Sequence, residues 1–99
     1  MITFFRNFQV KTGQMPEALA LSQEAMGYLK KAYGIDVETY TPAGGNPLRI
    51  GLAGEYDNLG DIEDLMGKIA VDADWNKIMV RAADLVVEGT VVDEFWKKV

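Results

Sequence analysis

The stretch Ile2–Val10, which reads ITFFRNFQV, decides the fold, because it predicts a strand with aromatic side chains on both faces. It is rich in the β-branched and aromatic residues that strands favour, and Gly13 ends it. Alternation along the strand places Phe4 and Phe8 on one face and Phe5 on the other. We therefore expect a strand that lies inside a sheet, with both of its faces at least partly covered.

A long helix is predicted over residues 16–33, directly after this strand. Pro16 suits the first turn of a helix, and the apolar residues recur at helical spacing. Gly34 stands where a helix commonly ends in a left-handed conformation. The helix is therefore bounded at both ends by residues of the expected type.

The remainder of the chain predicts two strands in hairpin arrangement, two consecutive helices and a last strand. The boundary between the helices falls near Asp72, which is expected to cap the second one. The predicted elements cover residues 37–41, 48–56, 59–71, 73–86 and 90–97.

This order predicts one α+β domain over residues 1–99, with the β-α-β-β-α-β plan of the ferredoxin-like fold. Right-handed crossovers place the helices on one face of a four-stranded antiparallel sheet. The other face carries Phe5, Tyr40 and either Val91 or Val92. Because no helix covers that face, we expect a homodimer formed through the open sheet face and the last strand.

Three segments resemble the dimeric α+β barrel superfamily, in particular its small antibiotic-biosynthesis-monooxygenase-like and NIPSNAP-like domains. They are the first strand and its continuation, Ile2–Met15, the acidic start of a late helix, Asp72–Trp75, and the passage Val86–Val91 into the final strand. The resemblance covers essentially the whole chain by element order and length.

The resemblance implies that two sheets face each other across a dimer and close a barrel. It also implies that the final strand meets the other protomer, with Trp96 as an anchor there. Enzymes of the superfamily hold their substrates between sheet and helices, and they include cofactor-independent oxygenases, haem-degrading enzymes and lactone isomerases. The chain has no histidine, which departs from the haem-binding members.

Composition excludes several functions. There are no cysteines and no histidines, which removes disulfides, iron–sulfur clusters, thiolate nucleophiles and the commonest metal ligand. The net charge of −5 disfavours nucleic acid and anionic membrane surfaces as partners. Asp72 and Asp74 alternate as in a calcium loop, but Lys77 and Ala83 occupy the positions of its glycine and glutamate. We therefore expect no metal, no cofactor and a cytoplasmic location.

The candidate ligand-binding residues are Asn7, Tyr40, Arg49, Glu55 and Trp75. Arg49 could hold an anion and Glu55 could act as a base, although an ion pair across strands or across the dimer is the favoured interpretation. Trp75 could line a pocket for an aromatic ligand, although its helical spacing favours a place in the core. No catalytic residue is identified.

The sequence predicts a small dimeric α+β barrel protein that binds a small hydrophobic ligand in a cavity between sheet and helices, without dedicated catalytic machinery. The alternative is a cofactor-independent monooxygenase or isomerase that acts on a small hydrophobic or phenolic compound. Such chemistry requires only a dry, shaped pocket and one or two polar groups.

Overall fold

The computed structural model describes residues 1–99, and its elements follow the predicted order. They are β1 (Ile2–Gln9), α1 (Met15–Tyr33), β2 (Val37–Tyr40), β3 (Arg49–Tyr56), α2 (Leu59–Ala70), α3 (Ala73–Ala83) and β4 (Val92–Lys97). The predicted elements are therefore all present, with boundaries that differ by up to three residues.

The sheet has four antiparallel strands in the order β2-β3-β1-β4. In the register of β1 with β3, Phe5 lies opposite Ala53 and Asn7 lies opposite Gly51. The three helices pack against one face of this sheet, so the predicted α+β, ferredoxin-like fold is confirmed.

The face that meets the helices, here called the inner face, carries buried Phe4, Ile50 and Tyr56. The opposite face, here called the outer face, has no helix over it. Its side chains follow from the alternation along each strand. They are Thr3, Phe5, Asn7, Gln9, Glu38, Tyr40, Arg49, Gly51, Ala53, Glu55, Val92, Glu94 and Trp96.

The core lies between the inner face and the helices, in two clusters. The larger cluster joins Phe4 and Tyr56 of the sheet to residues of all three helices, among them Leu29, Leu65 and Ile78. The smaller cluster consists of Val10, Ala18 and Ile50 at one end of the sheet. The helix α1 is thus held to the sheet at two separate places.

Local interactions define the ends of α1 and the start of α3. Gly34 ends α1 at φ 69°, in the left-handed region that glycine tolerates. Asp72 caps α3 by accepting hydrogen bonds from the backbone N–H groups of Asp74 and Trp75. The hydroxyls of Tyr28 and Tyr33 also donate to Asp72, at 2.6 and 2.5 Å. One carboxylate therefore connects the end of α1 to the beginning of α3.

The helix α3 ends at Ala83 rather than at residue 86, because the segment that follows pairs with the chain after β1. Val86 forms a bridge with Val10, and the backbone N–H of Val87 donates to the carbonyl of Gln9. Lys11 donates its backbone N–H to Leu85 in the same region. These hydrogen bonds replace those that a further helical turn would have made.

The edge strand β4 is exposed along its whole length. On its inner side the ring of Phe95 stacks on Phe4 with 4.8 Å between centroids, yet Phe95 remains 52% exposed. On its outer side Trp96 is 61% exposed. No element of this chain covers either side of β4 completely.

Candidate functional site

A cavity of about 200 Å³ lies between the inner face of the sheet and the helices. Of the 22 residues that line it, 19 are hydrophobic. They come from three strands, all three helices and the segment that precedes β4, and they include Phe4, Phe8, Leu52, Leu65, Trp75 and Ile78. The arrangement suits an apolar ligand, because such a lining offers contact and few hydrogen bonds.

Small residues create this space. Ala18, Ser22 and Ala25 share one face of α1, and all three line the cavity. Gly54 lines it from β3, where a Cβ would lie 3.2 Å from the Cε2 and hydroxyl oxygen of Tyr56. The small side chains at these positions leave part of the space between the helix and the sheet unfilled.

The polar groups of the lining are few. Arg6 is the only charged residue among them, and it donates to Asp93 of β4 through Nε at 2.6 Å and Nη2 at 2.8 Å. The hydrogen bond to Asp93 raises the pKa of Arg6, against the opposing effect of burial. Burial raises the pKa of Tyr56, so its hydroxyl stays protonated at neutral pH. Ser22 adds a second hydroxyl.

Trp75 is the one predicted ligand-binding residue that lines the cavity. It is 8% exposed and belongs to the core cluster, and its ring lies 6.4 Å from that of Tyr28 between centroids. Trp75 is therefore both a core residue and part of the cavity wall.

The other four predicted residues lie on the outer face, on the far side of the sheet from the cavity. Tyr40, Gly51 and Asn7 form one row across β2, β3 and β1. Asn7 is buried, and its Oδ1 has no hydrogen-bond partner. The hydroxyl of Tyr40 donates to Glu38, which raises the pKa of Tyr40.

Arg49 and Glu55 share the outer face but stand at opposite ends of β3. They are six positions apart, which corresponds to about 20 Å along a strand. Glu55 and Tyr40 line a second, more polar recess near the start of β1, and Arg49 is not part of it. Within one chain these residues therefore do not form a single site.

Arg6 and the small residues of α1 were not among the site residues predicted from the sequence. Alternation already places Arg6 on the same face as Phe4 and Phe8, and a charged residue within an apolar face is a recognisable signal. The spacing of Ala18, Ser22 and Ala25 was equally visible. Such small residues also occur where a helix packs closely on a sheet, so the spacing does not predict a cavity.

No group of three or more Asp or Glu side chains is placed to hold a metal ion together. No helix has both the length and the hydrophobicity that a membrane crossing requires.

The sequence matches no protein-family model and no curated protein. Solved structures are similar to it over nearly the whole chain. An uncharacterized NIPSNAP domain protein from Burkholderia xenovorans is 17% identical with a TM-score of 0.86, covering 100% of this chain and 95% of its own. A NIPSNAP family protein from Agrobacterium tumefaciens is 20% identical with a TM-score of 0.84, covering 99% and 92%.

A structure of an antibiotic biosynthesis monooxygenase is 8% identical with a TM-score of 0.76, covering 100% of this chain and 99% of its own. The chain therefore has the fold of the NIPSNAP and antibiotic-biosynthesis-monooxygenase structures, as the sequence resemblance implied. At these identities the similarity concerns the fold.

Proposed function

We propose that this protein binds a small hydrophobic molecule in the cavity between the sheet and the helices. The observation that carries the proposal is the apolar lining of that cavity, in which 19 of 22 residues are hydrophobic. An apolar cavity of about 150 Å³ binds benzene in another protein, so about 200 Å³ suits one substituted aromatic ring or a compact bicyclic molecule.

The same lining favours binding over catalysis. It includes no carboxylate, and the phenol of Tyr56, whose pKa burial raises above the ordinary value, carries its proton at neutral pH and cannot accept another. The similarity to an antibiotic biosynthesis monooxygenase supports a second candidate, the oxidation of a phenol by O₂ to a quinone and water. In that reaction the phenol itself supplies the electrons. Quinone formation in air from a bound naphthol would distinguish this candidate from simple binding.

Native mass spectrometry of the freshly purified protein tests the binding proposal. We expect a mass above that of the bare chain. Extraction with an organic solvent should remove the molecule that accounts for the additional mass. Ala25→Leu places three further carbon atoms in the cavity and should abolish this extra mass. Ala20→Leu is the matched control, because Ala20 lies on the exposed side of the same helix. Equal retention of the molecule by both variants would contradict a site in this cavity.

We further propose that a second copy of the chain covers the outer face, which makes the protein a homodimer. Phe5, Val92 and Trp96 give this face apolar area, and Asn7 Oδ1 lacks a donor within the chain. A twofold axis that runs across the strands also places Arg49 of each copy over the Glu55 end of its partner. The facing charges of Arg49 and Glu55 are then opposite in sign, while Glu38 and Glu94 add negative charge elsewhere on the face.

The fluorescence of Trp96 tests the dimer. Trp75→Phe leaves Trp96 as the only tryptophan, and its emission should move to shorter wavelength as the protein is concentrated from nanomolar to micromolar. The reciprocal variant Trp96→Phe is the control, because Trp75 is already buried in one chain. A sedimenting monomer at micromolar concentration, with unchanged Trp96 emission, would contradict the proposal.

A further inference from the structure

One ion pair determines the electrostatic character of the cavity. Arg6 is the only charged residue in the lining, and its guanidinium carbon lies 5.5 Å from the centroid of the Phe4 ring. Asp93 stands directly opposite Arg6 in the register of β1 with β4 and binds it through both carboxylate oxygens. This bidentate contact uses Nε and Nη2 and leaves the two N–H groups of Nη1 outside it.

The contact gives Arg6 and Asp93 together no net charge, which weakens the attraction of Arg6 for an anionic ligand. The side chains of Arg6 and Asp93 are 37% and 32% exposed, so the pair is only partly screened by water. A carboxylate that approached Nη1 would be attracted by the guanidinium, and Asp93 on the Nε–Nη2 edge would weaken that attraction by repulsion from farther away. The weakened attraction then has to offset the cost of removing a carboxylate from water into an apolar cavity. A neutral oxygen acceptor could take a hydrogen bond from Nη1 without that repulsion.

We propose that the cavity selects uncharged apolar molecules with one hydrogen-bond acceptor, and that it rejects carboxylates of the same shape. Asp93 is the residue that determines this specificity, although it lies outside the lining and acts through Arg6. The ligand class is thus an aromatic or compact aliphatic alcohol, amide or ketone. The inference rests on the proposed function, because it concerns the ligand of the same cavity.

Two probes of equal shape test the inference, namely naphthamide and naphthoate substituted at the same ring position. At neutral pH they differ in charge while their size and apolar surface are nearly identical. With the wild-type protein we expect naphthamide to bind at least tenfold more tightly than naphthoate, as measured by fluorescence titration. Asp93→Asn leaves the charge of Arg6 uncompensated, and naphthoate should then bind at least tenfold more tightly than it does to the wild type.

Glu63→Gln is the control, because it removes one negative charge from the exposed side of α2, away from the cavity. It should leave the ratio of the two affinities unchanged. If Asp93→Asn also leaves this ratio unchanged, or if the wild type binds both probes equally, the inference is wrong while the cavity remains a binding site. If neither probe binds to any of the three proteins, the proposed function fails together with the inference.

Discussion

The ring of Phe5 lies across the backbone of Gly51 on the outer face of the sheet. A Cβ built at Gly51 would be 2.6 Å from Cζ of Phe5, closer than two carbon atoms can approach. The two residues are diagonal neighbours on β1 and β3, because Phe5 pairs with Ala53 and Asn7 pairs with Gly51. The glycine therefore lets the aromatic ring lie flat on the sheet.

Gly51→Ala should lower the free energy of unfolding by about 1 kcal/mol, because the new methyl group forces the end of the half-exposed Phe5 ring away. Phe5→Leu removes the clashing Cζ, so the double variant should recover part of that loss. Urea unfolding of both single variants and the double variant measures this coupling. Strict additivity of the two losses would show that the ring and the glycine do not depend on each other.

At two helical glycines we expect a change to alanine to stabilise the protein. A Cβ at Gly27 of α1 or Gly67 of α2 would meet no atom within 4 Å, and both positions have ordinary negative φ. Each change to alanine should therefore raise the free energy of unfolding by roughly 0.5–1 kcal/mol, since alanine loses less backbone entropy in a helix. Gly34→Ala should lower it instead, because Gly34 has φ 69°. Thermal unfolding of the three variants distinguishes these effects.

The Asp72 carboxylate makes stability dependent on pH at both extremes. Hydrogen bonds from Tyr28 and Tyr33 lower the pKa of Asp72 from 3.8 to about 2 in the folded protein. Its contribution is therefore present above pH 3.8 and is lost as the pH falls through about 2. The hydrogen bond to Asp72 raises the pKa of Tyr28 from 10.0 to about 12, so that contribution is lost as the pH rises above 10. We expect a melting temperature that declines at both ends of this range.

Asp72→Asn tests this assignment, because asparagine can still cap α3 but carries no charge. In this variant the pKa of Tyr28 and that of Tyr33 should fall towards the ordinary value for tyrosine. Absorbance of tyrosinate during an alkaline titration measures the change. Asp61→Asn, in the first turn of α2, is the control and should leave the titration unaltered. An unchanged titration of Asp72→Asn would contradict the hydrogen bonds to Asp72.

Charge reversal tests the orientation of the proposed dimer. If Arg49 of one copy faces Glu55 of the other, Arg49→Glu places like charges together twice in each dimer and should raise the dimer dissociation constant roughly tenfold. Arg49→Glu combined with Glu55→Arg restores opposite charges and should restore affinity. Sedimentation at several protein concentrations measures both. If the double variant does not recover the wild-type dissociation constant, this orientation is wrong, and the dimer would then have another arrangement.

Local sequence features predicted the fold well, because the fold depends on signals that lie close together in the chain. The alternation of β1, the glycine at the end of α1 and the Asp72 cap each follow from neighbouring residues. The end of α3 was less predictable. Its last predicted turn is lost to pairing with Val10, which is 76 residues away from Val86 in the sequence.

The candidate site was less predictable for the same reason. Alternation shows that Arg49 and Glu55 share a face, but their separation along β3 depends on the strand remaining regular between them. The contact between Arg6 and Asp93 joins residues 87 positions apart. The cavity depends on the distance between α1 and the sheet, and that distance cannot be predicted from residues that are neighbours in the sequence. The pairing of Arg6 with Asp93 beside the cavity therefore becomes evident only from the folded chain.

Arg6 and Asn7 are adjacent in β1, yet one faces the cavity and the other faces the outer surface. Inserting or deleting a single residue early in this strand would exchange the two sets of side chains. Phe5 and Asn7 would then enter the core, and Arg6 would move to the outer face and no longer line the cavity. The loop between β2 and β3 is less constrained, because its residues from 41 to 47 are exposed. Natural variants should therefore differ in length at that loop and keep the number of residues in β1.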